Sequence, residues 1–356
     1  MPQPPPGASA EHLKSNALGT GSIAFLVIAA AAPLTVMAGV APLAILVGGI
    51  GAPAGYLAAG AVLTLFAVGF MAMTRHTGGA GAFYSYITMG LGRTTGMASG
   101  VLAVVAYNAL QIGVYGLLGQ QIADAIATFT GLEVPWWAVA LVAVVIVWFV
   151  GRRGIEVGAK ILGVLLIAET AILALLAGAV ILQGGAPGTS ALSVASFSPE
   201  AMFAPGMIGV LAFCFAAFMG FESTALYRPE ARNPERTIPR ATYAAVVFMG
   251  LFYFLIVWAI IQAFGNEAVI EAAAADPASM FFVAMQTYVG TWASDLMYVL
   301  IMTSVLASQI AFHNAINRYT FNWPGTACCR RSWSPPTRST AHRQSPAPCS
   351  RSWPRL

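Results

Sequence analysis

The chain has 356 residues, of which 58% are hydrophobic and only 8% carry a charge, and its mean hydropathy is +0.76. This composition leaves too little polar surface to cover a water-soluble globule, so it excludes that class and predicts that lipid is the main solvent. The net charge of +4 does not indicate a nucleic-acid partner. Six of the seventeen basic residues follow Phe321, and residues 1–321 hold eleven basic and thirteen acidic side chains.

The N-terminal residues, Met1 to Ser15, are polar and rich in proline, with no basic stretch ahead of a cleavable apolar segment. We therefore predict a cytoplasmic tail over residues 1–20 rather than a signal peptide. The transporter domain is predicted over residues 21–321. Its apolar stretches are long enough to cross about 30 Å of hydrocarbon. Eight membrane spans are predicted: Ile23–Val47, Tyr56–Met73, Met97–Ile122, Trp136–Val150, Ile155–Leu182, Gly206–Leu226, Ala241–Phe264 and Trp292–Ile316.

The distribution of charge predicts how these spans are oriented. Lysine and arginine collect in cytoplasmic loops, and with the N-terminus inside, the basic residues up to Phe321 all fall on the inner side. The predicted external loops contain acidic residues and no basic ones: Asp124, Glu133, Glu200, Glu267, Glu271 and Asp276. We therefore expect a multi-pass protein of the inner (plasma) membrane with a cytoplasmic N-terminus, in contact with lipid head groups through its loop arginines.

Two spans contain helix-disrupting residues near their middles. In the first span, Pro33 removes an amide donor and clashes with the preceding turn. In the sixth span, Gly220 lies two residues before Glu222 in an otherwise apolar segment. An opened helix exposes amide donors and carbonyl acceptors, which suit the carboxylate and ammonium groups of a zwitterion. The spacing of five spans between these breaks predicts a substrate site formed by Ala32, Pro33, Leu34, Thr35, Ala217, Phe218, Met219 and Gly220.

Further polar residues lie within the predicted spans. Tyr107, Asn108 and Gln111 occupy one helical turn of the third span and either face the substrate path, with Asn108 as a binding residue, or pack against another helix. Glu169 lies midway along the fifth span among apolar neighbours. A carboxylate in the membrane is costly, so Glu169 either carries a proton or forms a structural hydrogen bond, and Glu222 has the same two interpretations.

The residues after Phe321 have a different character. They are rich in serine, proline, threonine and arginine and show no apolar periodicity. Such a segment cannot bury a core, so residues 322–356 are predicted to be a disordered basic tail. The abrupt change within a helix favours a shifted reading frame, and a basic tail attracted to anionic lipid is the alternative.

One long motif resembles a known family of permeases. The segment Ala217 to Ala241, which reads AFMGFESTALYRPEARNPERTIPRA, is similar to the sixth helix and following loop of the amino acid-polyamine-organocation superfamily. Shorter segments support the likeness: AAPLTV from Ala31, GGAGAFYSY from Gly78 and NAINRY from Asn314. The resemblance covers the chain from Gly21 to Phe321.

This resemblance implies an all-α integral membrane protein of the LeuT type, with two inverted repeats of five helices each. Members usually have twelve spans, so a chain of eight is expected to have an incomplete second repeat. By resemblance, Glu222 orients the opened segment or carries a proton. Glu169 follows Lys160 by nine residues and occupies a place where some proton-coupled relatives carry a lysine in lieu of a sodium ion.

The leading hypothesis is a secondary active transporter of amino acids or related amines, a symporter or antiporter that is either coupled to protons, the expected coupling ion, or driven by an exchanged solute. The sequence contains no recognisable nucleotide-binding loop, metal cluster or nucleophile with a base. No enzymatic activity, cofactor, metal site or catalytic residue is therefore predicted. The alternatives are a truncated remnant that does not transport and, less favoured, a channel.

Overall fold

The computed structural model describes residues 18–74, 82–152, 159–186 and 192–321. These ranges contain helices and no β-strand, so the prediction of an all-α protein is confirmed. Short 3-10 helices cover Gly49–Gly51, Ala195–Phe197 and Phe221–Glu230. The α-helices are α1 Thr20–Ala31, α2 Pro33–Gly39, α3 Ala41–Gly48, α4 Ala52–Thr74, α5 Ala82–Leu91, α6 Arg93–Thr130, α7 Trp136–Arg152, α8 Ala159–Leu182, α9 Pro199–Met202, α10 Met207–Ala217, α11 Pro234–Phe264, α12 Val269–Ala275, α13 Met280–Tyr288 and α14 Thr291–Phe321.

Seven stretches of the described residues are long and apolar enough to cross a membrane. They are Thr20–Gly39, Ala41–Thr74, Arg93–Thr130, Gly163–Leu182, Met207–Ala225, Pro234–Phe264 and Thr291–Ile310. The predicted fourth span corresponds to a shorter apolar helix, Trp136–Gly151. At 1.5 Å per residue its apolar part is about 24 Å long, somewhat less than the hydrocarbon thickness. The fold is therefore that of a multi-pass membrane protein.

Helices α4 and α11 approach each other closely because each presents a glycine at their contact. A Cβ atom built on Gly60 would lie 3.2 Å from the Cα atom of Gly250 and 3.6 Å from the ring of Phe218. Small residues commonly permit such close approach between membrane helices. This contact brings α11 and the end of α10 into one apolar core with α1 to α4, α8 and α14.

The start of the described chain pairs with the segment that follows the 3-10 helix Phe221–Glu230. The Leu18 amide donates to the carbonyl of Glu230 at 3.0 Å, and the Arg232 amide donates to the carbonyl of Leu18 at 2.8 Å. Together they form a parallel bridge between Leu18 and Ala231. The base of α1 is thus fastened to the chain that leaves the 3-10 helix.

Arg228, one of the predicted loop arginines, is engaged within the protein. Its guanidinium lies 2.7 Å from the carboxylate of Glu235 and also donates to the carbonyl of Thr74. The Thr74 hydroxyl in turn lies 3.0 Å from that of Tyr86 on α5. These contacts join the ends of α4, α5 and α11. Most of the predicted N-terminal tail, residues 1–17, and the predicted basic tail, residues 322–356, lie outside the described residues.

Candidate substrate site at two helix interruptions

The first interruption separates α1 from α2 at Ala32. This residue has φ 49° and ψ 75°, a left-handed conformation that residues other than glycine seldom adopt. Pro33 follows as the first residue of α2, and because proline has no amide hydrogen it cannot continue the hydrogen-bond ladder of α1. The sequence therefore ends one helix and begins the next within two residues.

The amide of Leu34 finds its partner on a different helix. In a continuous helix this N–H would donate to the carbonyl of residue 30, whereas here it donates to Oε2 of Glu169 at 3.4 Å. Glu169 lies on α8 and is only 3% exposed. Its carboxylate also lies beside the hydroxyl of Ser304 on α14, and that hydroxyl is 3.2 Å from the hydroxyl of Thr35. The first interruption is thus linked to α8 and α14 through polar contacts.

The second interruption follows α10, which ends at Ala217. Phe218 and Met219 lead to Gly220, whose φ of 106° strongly favours glycine. The chain then continues as a 3-10 helix from Phe221. The sequence folds in this way because the glycine permits a turn that the neighbouring residue types would resist.

Glu222 stabilises this second interruption from within. Its Oε2 atom accepts the amide N–H of Gly220 at 3.0 Å, and its Oε1 atom accepts a hydrogen bond from the hydroxyl of Tyr107 on α6. The Glu222 side chain is 4% exposed. Two donors therefore meet a buried carboxyl group, which fixes the geometry of the turn relative to α6.

Residues of α11 lie close to both interruptions. The ring of Phe218 packs edge-on against that of Tyr253, with centroids 5.8 Å apart, and the Tyr253 hydroxyl lies close enough to Glu169 to interact electrostatically. Helix α1 also packs directly against the 3-10 helix Phe221–Glu230. The structure thus brings Leu34 and Thr35 into the same buried region as Phe218.

The other residues predicted for the substrate site divide into two groups. Ala32, Pro33 and Ala217 are buried and Met219 is half-buried, all at the interruptions. Asn108 is not brought to this region: its side chain is exposed, and its amide donates to the carbonyl of Val104 in the preceding turn at 2.8 Å.

Gln111, the third polar residue of that turn, makes a contact between two helices. Its side-chain amide donates to the carbonyl of Gln309 at 3.3 Å, and the Gln309 amide donates to the carbonyl of Gln111 at 3.1 Å. The reciprocal pair joins α6 to α14. Of the two interpretations of this polar turn, Gln111 takes the packing role in this arrangement.

Sequence reasoning did not identify the contributions of Ser304 and Tyr253. Each is a polar residue inside a long apolar helix, fully or almost fully buried. Their sequence signal is weak because isolated serines and tyrosines are common in membrane helices. Their place at the site depends on which faces of α11 and α14 are turned towards the interruptions.

Comparison with known proteins identifies the family. The family model described as "Amino acid permease" matches residues 22–321. The chain belongs to the amino acid permease family. Members of this family are transporters and not enzymes. The region of this permease that matches the family model includes both interruptions and both buried carboxyl groups.

Two curated relatives share about a quarter of their aligned residues with this chain. The low-affinity putrescine importer PlaP of Escherichia coli K12 is 23% identical over 275 residues, which cover 76% of this chain and 58% of the relative. The L-methionine/branched-chain amino acid exporter YjeH of the same organism is 25% identical over 193 residues, which cover 53% of this chain and 43% of the relative. The permease thus spans about half the length of the curated relatives it matches.

Proposed function

We propose that this permease is a secondary active transporter of amino acids or related amines across the inner (plasma) membrane. The substrate binds between the interruption at Ala32 and the interruption at Phe218 to Gly220. The observation that carries this proposal is the pairing of each interruption with its own buried carboxyl group, Glu169 at Leu34 and Glu222 at Gly220. Opened helices offer unpaired backbone groups to a zwitterion.

Glu169 and Glu222 are the proposed proton-coupling groups. Among the described residues the one ion pair joins Arg228 to Glu235, so the structure pairs neither buried carboxyl group with a cation there. A carboxyl group in apolar surroundings is costly as an unpaired anion, which favours binding of a proton or of a substrate ammonium. Symport with a proton and exchange for another solute both fit this arrangement.

The amine-carrying and amino-acid-carrying relatives support the substrate class. One relative is named as an importer of putrescine and another as an exporter of methionine and branched-chain amino acids. Both substrate types carry a primary ammonium group, which is the group that a buried carboxylate recognises. We therefore propose an amino acid or an amine as the substrate of this permease.

Reconstitution tests the transport proposal directly. The purified full chain is placed in proteoliposomes, and uptake of labelled amino acids and putrescine is measured with and without a pH gradient. Saturable accumulation above that of protein-free liposomes is expected. Saturable binding in detergent with no flux in liposomes would contradict transport and favour a protein that only binds solute. Flux that does not saturate would instead indicate a channel.

A further inference from the structure

Two buried tyrosines form an unusual pair between the helix interruptions. Tyr56 on α4 and Tyr253 on α11 are each 0% exposed, and their rings meet edge to face with centroids 6.0 Å apart. Neither hydroxyl has a hydrogen-bond partner among the residues that the structure describes. Buried hydroxyl groups in proteins are nearly always hydrogen-bonded, so this pair calls for an explanation.

Ser196 also leaves a lone buried hydroxyl group without a partner, whereas the other unpaired atoms in the described part of the chain belong to side-chain amides. Asn266, Gln121 and Gln309 each leave their side-chain oxygen unpaired, but the nitrogen of the same amide donates a hydrogen bond. A tyrosine has a single polar atom, so its side chain is left without any polar partner. The pair also places two such side chains in direct ring contact.

The surroundings place this pair in the proposed substrate region. The Tyr253 ring contacts Phe218 at the second interruption, and the Tyr253 hydroxyl lies near Glu169, which binds the first interruption. Tyr56 lies close to Cys214 on α10, which is itself fully buried. Tyr253 therefore neighbours Phe218 at the second interruption and is coupled electrostatically to Glu169 at the first.

We propose that Tyr56 and Tyr253 form a specificity subsite, the tyrosine subsite, which binds a neutral hydrogen-bonding group on the substrate side chain. This inference rests on the proposed function and names the substrate class: amino acids or amines whose side chain ends in an amide or hydroxyl. A phenol both donates and accepts one hydrogen bond, which matches such groups. A side-chain carboxylate would be repelled by Glu169 when that group is ionised.

The test compares binding of isosteric pairs to the purified full chain in detergent, measured by calorimetry. Asparagine is compared with leucine, and threonine with valine. The wild-type chain is expected to bind the polar member of each pair more tightly, by at least about tenfold, because a site built for hydrogen bonds rejects analogues that lack them. In Tyr253→Phe, Tyr56→Phe and the double variant, this ratio is expected to fall towards one.

Thermal unfolding of the ligand-free chain supplies a second readout. Removing a hydroxyl that has no protein partner should leave the melting temperature unchanged or raise it. Tyr288→Phe is the matched control, because the Tyr288 hydroxyl donates to the carbonyl of Ala263 at 2.9 Å. This control should lower the melting temperature and leave the binding ratios unchanged.

Each outcome is decisive. If the wild-type chain binds no amino acid or amine, the proposed function fails and the subsite fails with it. If the wild-type chain binds but the Tyr56 and Tyr253 variants keep its polar-to-apolar ratios, only the subsite is overturned. A lowered melting temperature with unchanged ratios would show that the two hydroxyls are structural, which also overturns the subsite.

Discussion

The carboxyl group of Glu169 accepts the amide N–H of Leu34 at 3.4 Å, across 135 positions of sequence. Glu169 lies in the middle of α8. From there it binds the backbone just after Pro33, at the interruption between α1 and α2. A change in the charge of this carboxyl group therefore changes the hydrogen bonding and the electrostatics of the proposed substrate site. Proton binding and substrate binding are coupled by this contact in the proposed mechanism.

Replacing Glu169 with glutamine tests that coupling. Glu169→Gln keeps an oxygen that can accept from Leu34 but cannot bind or release a proton, so we expect accumulation driven by a pH gradient to fall by about tenfold or more. Uptake in proteoliposomes is measured with and without the gradient, alongside exchange of labelled for unlabelled substrate at equal pH, which should persist.

The control for Glu169→Gln is Glu200→Gln. Glu200 is an exposed residue in the first turn of α9, far from both interruptions in sequence. It should behave as the wild type in both assays. If Glu169→Gln retains full dependence on the gradient, Glu169 is removed from the coupling mechanism and its role is structural.

Gly220 is expected to be intolerant of any side chain because of its backbone conformation. No atom lies within 4 Å of a Cβ built there, and φ is +106°, so Gly220→Ala introduces backbone strain without a steric clash. The variant should lose about 1–3 kcal/mol of stability, measured by denaturation in detergent micelles.

A control variant at a second glycine distinguishes the effect of backbone strain from the effect of the added methyl group. Gly69 within α4 also has no atom within 4 Å of a built Cβ but has no positive φ. Gly69→Ala should therefore leave stability unchanged or raise it by up to about 1 kcal/mol, as alanine is the better helix former. Equal effects at the two positions would argue against the strained turn.

Glu222 is expected to contribute to stability as well as to transport. Glu222→Ala removes the carboxyl group that accepts from both the Gly220 amide and the Tyr107 hydroxyl, and the loss of a hydrogen bond to a buried group costs about 1–3 kcal/mol. Glu222→Gln retains one oxygen acceptor and should lose less stability. We expect Tyr107→Phe to cost less stability in the Glu222→Ala background than in the wild type, since the Tyr107–Glu222 hydrogen bond is already absent there. A double-mutant cycle in detergent measures this difference, and strict additivity of the two substitutions would contradict the contact.

The orientation of the chain is testable with single cysteines. Glu133, after α6, and Arg236, in the first turns of α11, are both exposed. The charge distribution predicts that Glu133→Cys is labelled by an impermeant maleimide in intact cells, whereas Arg236→Cys is labelled only after the membrane is opened. Both substitutions are made in a background without other cysteines. The reverse labelling pattern would place the N-terminus outside.

The interruptions were accessible to sequence reasoning because their causes are local. Pro33 cannot donate a backbone hydrogen bond wherever it lies in a fold, and the conformational freedom of Gly220 belongs to the residue itself. The all-α membrane fold follows equally directly from long apolar stretches. Local chemistry therefore located the elements and the turns of the candidate site.

The side chains that line the site depend on tertiary packing and were harder to predict. Tyr107 and Asn108 are neighbours in sequence, but a helix turns about 100° per residue, so Tyr107 meets Glu222 while Asn108 faces outward. Polarity alone does not distinguish them. Tyr56 and Tyr253 meet only because α4 and α11 approach at their glycines, a relationship between two helices that neither segment encodes by itself.

The bridge between Leu18 and Ala231 has a consequence for biogenesis. Leu18 leaves the ribosome well before its partner, because synthesis proceeds from the N-terminus. Helix α1 is therefore made while its base is unpaired, and the bridge forms only after α10 and the following 3-10 helix have been made. The base of α1 is thus made well before the segment that fastens it.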